Sequence, residues 1–231
     1  MMPPKSTLLP STWEFLQQVE ANNQRDWFQA HKDEYQAAMA NAHAFVDELI
    51  LLMNHHDHIE NTSGKSTVYR FHSDLRFDKN KPPYNPRLAF SLQRSGRTRR
   101  GGYYMHIKPG NTYLACGFFG PNAEDLRRIR QDIAQNFEEW EALLGDAKLR
   151  ENVGEMRGDA VKTAPRGFEI DTPGIALIRH KQFFFRRDFE DHEVLQPGFV
   201  AQVDAIFQMI RPFFDYMSEM LSTNANGESI L

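Results

Sequence analysis

The spacing of apolar residues changes along the chain, and this change constrains the fold more than any other feature. In the first third, apolar residues recur at three- and four-residue steps, as in amphipathic helices. In the middle third they form short runs rich in β-branched and aromatic residues, as in strands. Helical spacing returns near the end of the chain. Helices around a meander of strands predict the α+β class.

The boundaries of these elements follow from caps, turns and breakers. Ser11 or Thr12 is predicted to cap the first helix, and Pro212 to bend the last one. A turn at Pro109-Gly110-Asn111 predicts a hairpin, and hence an antiparallel sheet. We expect about five or six strands, flanked by helices that are long near both ends of the chain. Strands are predicted at 66–71, 87–93, 102–108, 112–119 and, as one or two, within 177–189, and further helices at 25–53, 123–136, 149–157 and 199–221.

The length of 231 residues allows one large domain or two small ones. No Gly/Ser-rich or Pro-rich stretch separates two halves, and 41% of the residues are hydrophobic, which is enough for a core. We therefore expect a single α+β domain at 11–221, with flexible ends at 1–10 and 222–231.

Composition also indicates where the protein works. No apolar run approaches the roughly 20 residues that span a bilayer, and residues 1–10 lack the apolar stretch of a secretion signal. The single cysteine, Cys116, excludes an intrachain disulfide. We expect a soluble cytoplasmic protein without a membrane partner. The sequence indicates no cofactor, because it contains no phosphate-binding loop, dinucleotide-binding glycine pattern, nucleophile elbow or zinc-finger spacing.

Charge is distributed unevenly. The chain has a net charge of −4, but residues 65–108 contain eleven Lys or Arg against two acids, a net of +9. The rest of the chain therefore carries −13. A basic region in an acidic protein can attract anions.

The centre of this basic region, residues 70–84, is the predicted binding site. Arginine suits bidentate contact with phosphate or carboxylate, and Tyr84, stiffened by the preceding Pro-Pro, offers a hydroxyl for proton transfer. The segment predicts a pocket for an anionic small molecule, and the protein could be an enzyme. An ion-pair network that holds the loop is the alternative. The predicted ligand-binding residues are Arg70, Asp74, Arg76, Lys81 and, outside the segment, Arg166, with Asp74 orienting an arginine and Lys79 as a further cation.

His106 is the second predicted catalytic residue. It lies in a predicted strand, where alternation places Tyr104 and Lys108 on the same face. This pattern puts a general base beside a hydroxyl and an ammonium group, although a strand histidine can also be simply hydrogen-bonded. By contrast, we predict no metal site in the run His55-His56-Asp57-His58, because it lacks further ligands at metal-binding spacing.

The basic connector at 94–102, with the sequence RSGRTRRGG, supports a different function. Flexible basic segments bind nucleic acid, and the tyrosines that follow, Tyr103 and Tyr104, could stack on bases. The alternative to a small-molecule site is therefore a non-enzymatic module that binds nucleic acid or a protein through this connector.

Several motifs together resemble the uncharacterised family of the domain of unknown function numbered 2461. The pattern in the basic region is Arg70-x-x-x-Asp74-x-Arg76-Phe77-x-x-Asn80-Lys81-x-x-Tyr84. The likeness extends over most of the chain, through 22–35, 102–110, 165–168 and 181–183. The resemblance implies a soluble, mostly bacterial protein of about this length, and it implies no established activity.

The chain departs from the family pattern at two positions. Ser73 stands where the family commonly has arginine, and Thr172 stands where it often has histidine. A catalytic site that used either side chain would be altered here, whereas an anion site that tolerates fewer cations would survive both changes.

Overall fold

A computed structural model describes residues 7–76, 78, 80–224 and 226–230 of the chain. In this part of the chain, eleven helices accompany one antiparallel sheet of four strands, so the predicted α+β class is confirmed. Two compact units are formed, the first by the described residues of 1–92, 104–114 and 188–205, and the second by those of 93–103, 115–187 and 206–230. The single domain at 11–221 and the flexible ends stay predictions, and of those ends residues 1–6, 225 and 231 lie outside the described part.

The first unit begins with helices, two of which differ from their predicted form. They are α1 (Pro10–Ala21), α2 (Arg25–Ala30), α3 (Lys32–Met53) and the single turn α4 (Gly64–Thr67). The long helix expected at 25–53 is interrupted at His31, whose ring stacks on Trp27 at 3.9 Å and whose Nδ1 donates to the Trp27 carbonyl oxygen at 2.8 Å. The His31 backbone amide still donates to the Trp27 carbonyl at 3.2 Å, and the interruption is a single residue.

The start of α1 is stabilised from a distance rather than by its own sequence. Neither Ser11 nor Thr12 is the cap, because the helix already begins at Pro10. The backbone amide of Leu9 and the Thr12 hydroxyl both donate to the Asn41 side-chain oxygen in α3, at 3.0 and 2.9 Å.

The sheet has the strand order β1 (Leu88–Gln93), β2 (Gly102–Ile107), β3 (Thr112–Phe118) and β4 (Phe183–Phe189). The predicted hairpin joins β2 to β3: Gly110 has φ 71°, and the Asn111 amide donates to the Lys108 carbonyl at 2.9 Å. The expected number of five or six strands is wrong, since the described part of the chain has four.

Two stretches that were expected as strands account for this difference, namely 66–71 and the first part of 177–189. They pair through isolated antiparallel bridges instead. Val68 bridges Phe90 and His72 bridges Tyr84 beside β1, and a similar pair of bridges, 157 to 184 and 160 to 180, lies beside β4. Pro82, Pro83 and Pro86 have no N–H to donate, so the ladder beside β1 cannot be continuous. The helical turns α4 and α8 (Ile175–Ile178) overlap the start of these two stretches.

Of the remaining helices, those expected at 123–136, 149–157 and 199–221 are present with shifted ends, whereas the helices at 137–144 and 191–194 were not predicted. The predicted bend near Pro212 is a break at Ile210. These helices are α5 (Ala123–Gln135), α6 (Phe137–Leu144), α7 (Ala147–Val153), α9 (Asp191–Val194), α10 (Phe199–Met209) and α11 (Arg211–Ser222).

An aromatic cluster forms much of the core of the first unit. Tyr84 stacks on Phe28 with ring centroids 3.8 Å apart, and Phe71, Phe15 and Tyr35 pack around this pair. Aromatic pairs of this kind contribute stability beyond their buried area.

Asn23 joins α1 and α2 to this cluster through the backbone of Tyr84. In the bridge with His72, the hydrogen bonds come from the flanking residues, so the N–H and C=O of Tyr84 point away from the ladder. The Asn23 side chain binds both, accepting from the N–H at 3.1 Å and donating to the C=O at 2.9 Å. A side-chain amide here replaces a neighbouring strand.

We predict that Asn23→Ala lowers the free energy of unfolding by about 1–3 kcal/mol, because two backbone groups at a buried residue lose their partners. Urea denaturation measures the change. Asn22→Ala is the matched control: Asn22 is exposed, and its side chain bonds only within α1, so we expect a loss of about 0.5 kcal/mol or less. Equal losses in the two variants would contradict this role of Asn23.

Candidate functional site

Four side chains that can bind charge or transfer a proton lie on the polar side of the sheet in the first unit. Along β2, Met105 and Ile107 face the core, so alternation places Tyr104 and His106 on the opposite side. Arg87, just before β1, and Tyr113, in β3, reach the same side. We call these residues the sheet-face cluster: Arg87, Tyr104, His106 and Tyr113.

The geometry of the sheet-face cluster centres on the Arg87 guanidinium. Its Nη1 donates to the Tyr104 hydroxyl at 3.2 Å and lies 3.4 Å from Nδ1 of His106. The Tyr104 hydroxyl is also 3.4 Å from that Nδ1, and the His106 ring stacks on Tyr113 with centroids 4.8 Å apart. Because Nδ1 faces donors, the proton of a neutral imidazole belongs on Nε2.

The electrostatics of the sheet-face cluster are unbalanced toward positive charge. Burial raises the pKa of Tyr104, with a further contribution from Tyr113, so this phenol keeps its proton at neutral pH. Among the described residues, no carboxylate lies within ion-pair distance of Arg87, and its side-chain contacts are the neutral phenol and the imidazole. A half-buried guanidinium with neutral neighbours favours an anion as its further partner.

Lys108 does not join His106, contrary to expectation. Its ammonium group lies 2.5 Å from the Glu20 carboxylate in α1. The residue follows the end of β2, where the turn to β3 begins, so strict alternation no longer controls the direction of its side chain.

The predicted ligand-binding residues of 70–84 lie in or beside an exposed loop formed by the described residues of 73–83, which we call the basic loop. The His72–Tyr84 bridge and a hydrogen bond from the Ser73 amide to the Pro83 carbonyl at 2.9 Å close this loop at its base. The structure brings four of them together there with exposed side chains, namely Arg70, Asp74, Arg76 and Lys81. Phe77 and Lys79 lie outside the described residues.

Asp74 organises this loop. Its carboxylate accepts from Nη2 and Nε of Arg76 at 2.6 and 3.0 Å, and from the Arg76 backbone amide at 3.0 Å. The Arg76 side chain, then the Arg76 amide, and then the charges of Arg70 and Lys81 hold the pKa of Asp74 below its ordinary value. Three cations around one carboxylate leave a formal charge of +2.

Two other predicted site residues lie elsewhere. Tyr84 is 5% exposed, with its ring stacked in the aromatic cluster, so packing accounts for its position. Arg166 is exposed in a turn of the second unit, whereas the basic loop belongs to the first.

The basic connector at 94–102 is held to the second unit at two points. Arg94 is 5% exposed; it lies 2.8 Å from the Asp215 carboxylate and donates to the Arg100 carbonyl at 2.9 Å. Arg100 pairs with Asp125. The expected mobile arm is therefore partly anchored, and Arg97 is its exposed cation.

The histidine run after α3 also has internal partners. His56 Nε2 lies 2.8 Å from an Asp204 carboxylate oxygen, and the buried Asp57 accepts from the backbone amide of His58. Within the described ranges, no group of three or more His, Cys, Asp or Glu side chains could hold a metal ion.

Arg87 and Tyr113 are the members of the sheet-face cluster that sequence reasoning missed as site residues. Arg87 was visible only as one of eleven cations. The signal that could have found both is the predicted strand order: in an antiparallel meander, the residue before β1 and the first residues of β3 lie beside the end of β2, where His106 stands.

Comparison with known proteins establishes the family. The family model described as conserved hypothetical protein (DUF2461) matches residues 11–216. The chain belongs to this family. Comparisons with curated proteins and with solved structures give no significant match. In the part of the chain that is described, no helix combines the length and apolar character needed to cross a bilayer.

The two residues that depart from the family pattern both form hydrogen bonds with nearby residues. Ser73 donates its hydroxyl to the Asn85 side-chain oxygen at 3.3 Å, and the Thr172 hydroxyl accepts from the Glu169 backbone amide at 3.0 Å. Neither residue belongs to the sheet-face cluster.

We predict that Asp74 keeps its charge to lower pH than an ordinary carboxyl group does. Its lowered pKa means that its contribution to stability is present above the unfolded pKa and is lost as pH falls through the folded value. A carboxyl-carbon NMR titration measures the midpoint. Arg76→Gln should raise this midpoint toward the ordinary value, whereas Lys65→Gln, another exposed cation of the same unit, should leave it in place. An ordinary midpoint in the parent protein would refute the pairing.

Proposed function

We propose that the protein binds a small molecule carrying a phosphate or carboxylate group, and that the sheet-face cluster holds this group. The observation that carries the proposal is the charge of Arg87, which has neutral side-chain partners in the described part of the chain. An anion at this position would supply the missing countercharge, and the Tyr104 hydroxyl would contribute a further hydrogen bond.

The same arrangement suits proton transfer on the bound molecule. The His106 imidazole is a side chain that can accept or donate a proton, and its contacts with Arg87 and Tyr104 determine which of its ring nitrogens carries the proton. A general acid or base beside a charge-binding group is what a proton-transfer enzyme requires. We include this enzymatic role in the proposal, together with the cytoplasmic location expected from the composition.

The basic loop has a supporting role in this proposal. Arg70, Arg76 and Lys81 are exposed, and Asp74 already pairs with Arg76, so the loop offers a weaker anion site than the half-buried Arg87. Its formal charge of +2 would instead raise the local concentration of anionic ligands. The proposed ligand class is therefore the one predicted from the sequence, but its principal contact is Arg87 rather than the segment 70–84.

We predict that inorganic phosphate or a dicarboxylate raises the melting temperature of the parent protein, and that Arg87→Gln weakens this binding. Loss of a charge-assisted hydrogen bond corresponds to about 10- to 150-fold in affinity. Isothermal titration calorimetry at fixed ionic strength measures the affinity.

Arg76→Gln is the matched control, because it removes the same charge from the exposed loop, and we expect about a threefold loss or less from weakened surface attraction. Tyr104→Phe separates the hydroxyl from the ring and should weaken binding without unfolding the protein. Equal affinities for the parent protein and Arg87→Gln would overturn the proposal.

The basic connector is the second candidate, as a non-enzymatic module that binds nucleic acid or a protein. A surface hollow of about 530 Å³, lined mainly by the arginines at 94, 97, 99 and 100, favours it. Two of these cations already pair with Asp215 and Asp125, which reduces the charge available to a partner. Oligonucleotide binding that Arg97→Gln abolishes and Arg87→Gln leaves intact would favour the connector.

A further inference from the structure

A row of aromatic rings extends from the sheet-face cluster to solvent. Tyr69 lies in the irregular segment beside β1, and its ring centroid is 6.4 Å from that of Tyr104. The Tyr104 ring is 5.9 Å from the Tyr113 ring, which stacks on His106. Aromatic surface therefore continues across three neighbouring segments of the first unit.

Tyr69 is the accessible end of this row, and it is held in place. It is 47% exposed, so part of its ring surface is open to a ligand. Its hydroxyl lies 2.5 Å from the Ser91 hydroxyl in β1, and its backbone amide donates to the Ala89 carbonyl at 2.8 Å. A tyrosine held at both its hydroxyl and its backbone amide loses little conformational entropy when a ligand stacks on its ring.

Tyr104 connects this exposed ring to the cationic group. Its ring neighbours Tyr69, and its hydroxyl accepts from Arg87. A stacking surface and a guanidinium are thus separated by one tyrosine side chain. In a nucleotide, a sugar likewise separates the base from the phosphate.

We propose that the anionic ligand of this site carries a nucleobase, with the base on the Tyr69 ring and the phosphate at Arg87. This inference rests on the proposed anion site and names its ligand class. The Tyr69 and Ser91 hydroxyls lie beside the base position and can exchange hydrogen bonds with its edge. Stacking tolerates all bases, so the geometry points to a nucleotide without selecting one base.

Calorimetry at fixed ionic strength, with inorganic phosphate, ribose 5-phosphate, adenosine monophosphate and a short deoxyadenosine oligonucleotide, tests the inference. We expect the parent protein to bind adenosine monophosphate about 5- to 150-fold more tightly than ribose 5-phosphate, the gain that stacking of one base supplies. Tyr69→Ala should remove this gain and leave the affinity for ribose 5-phosphate unchanged.

Two further variants make the result specific. Tyr69→Leu retains apolar bulk without an aromatic face and should also lose the gain, which keeps the test valid if the alanine variant is unstable. Phe119→Ala removes another exposed aromatic ring, 39% exposed in the second unit, and should keep the gain.

The outcomes separate the two proposals. If ribose 5-phosphate binds in an Arg87-dependent way and the monophosphate binds no tighter, the nucleobase inference is wrong and the anion site stands. If no phosphate compound binds, the proposed function fails and the inference fails with it. Tighter binding of the oligonucleotide that depends on Tyr69 identifies a single strand as the source of the nucleotide, and equal binding identifies a mononucleotide; both support the inference.

Discussion

The antiparallel pairing of β2 with its neighbours is the constraint on which the candidate site depends. Once the backbone of β2 is paired, alternation fixes the direction of every side chain along it. Met105 and Ile107 then lie in the core, so Tyr104 and His106 must face away from it. The aromatic and ionisable groups of three neighbouring segments collect on that side for the same reason, and they collect around an arginine.

The charge of Arg87 then gives this side of the sheet its chemistry. Four other cations of the basic region have carboxylate partners: Asp74 for Arg76, Asp215 for Arg94, Asp125 for Arg100 and Glu20 for Lys108. These pairs stabilise a loop, a connector and a helix contact. Arg87 has a phenol and an imidazole instead, so among the described residues its charge has no carboxylate as a countercharge.

The sequence could predict features that depend on local chemistry. The hairpin at 109–111 follows from the preference of glycine for positive φ, and the break near Pro212 follows from the missing N–H. Three of the strands predicted in the middle third, at 87–93, 102–108 and 112–119, match β1, β2 and β3 to within one residue, because their apolar residues partly alternate. The family was also recognisable, because its motifs keep their order along the chain.

Features that depend on individual side-chain hydrogen bonds, local or distant, could not be read from the sequence. The helix expected at 25–53 is interrupted at His31, whose imidazole binds the Trp27 carbonyl, although the apolar spacing continues without interruption. The strand expected at 66–71 is reduced to isolated bridges, and the backbone groups of Tyr84, the bridge partner of His72, bind a side chain 61 residues away, Asn23. Likewise, eleven cations could be counted, but which of them pair with a carboxylate is decided by the tertiary structure.

The most direct test of this account is an NMR titration of the arginine side chains with phosphate. The account predicts a saturable shift of the Arg87 Nε–H signal and of the Tyr104 ring signals at the same phosphate concentration, with a smaller, unsaturated shift at Arg76. A saturable shift at Arg76 and Arg70 with Arg87 unchanged would contradict it, because the anion site would then be the exposed loop and not the face of the sheet.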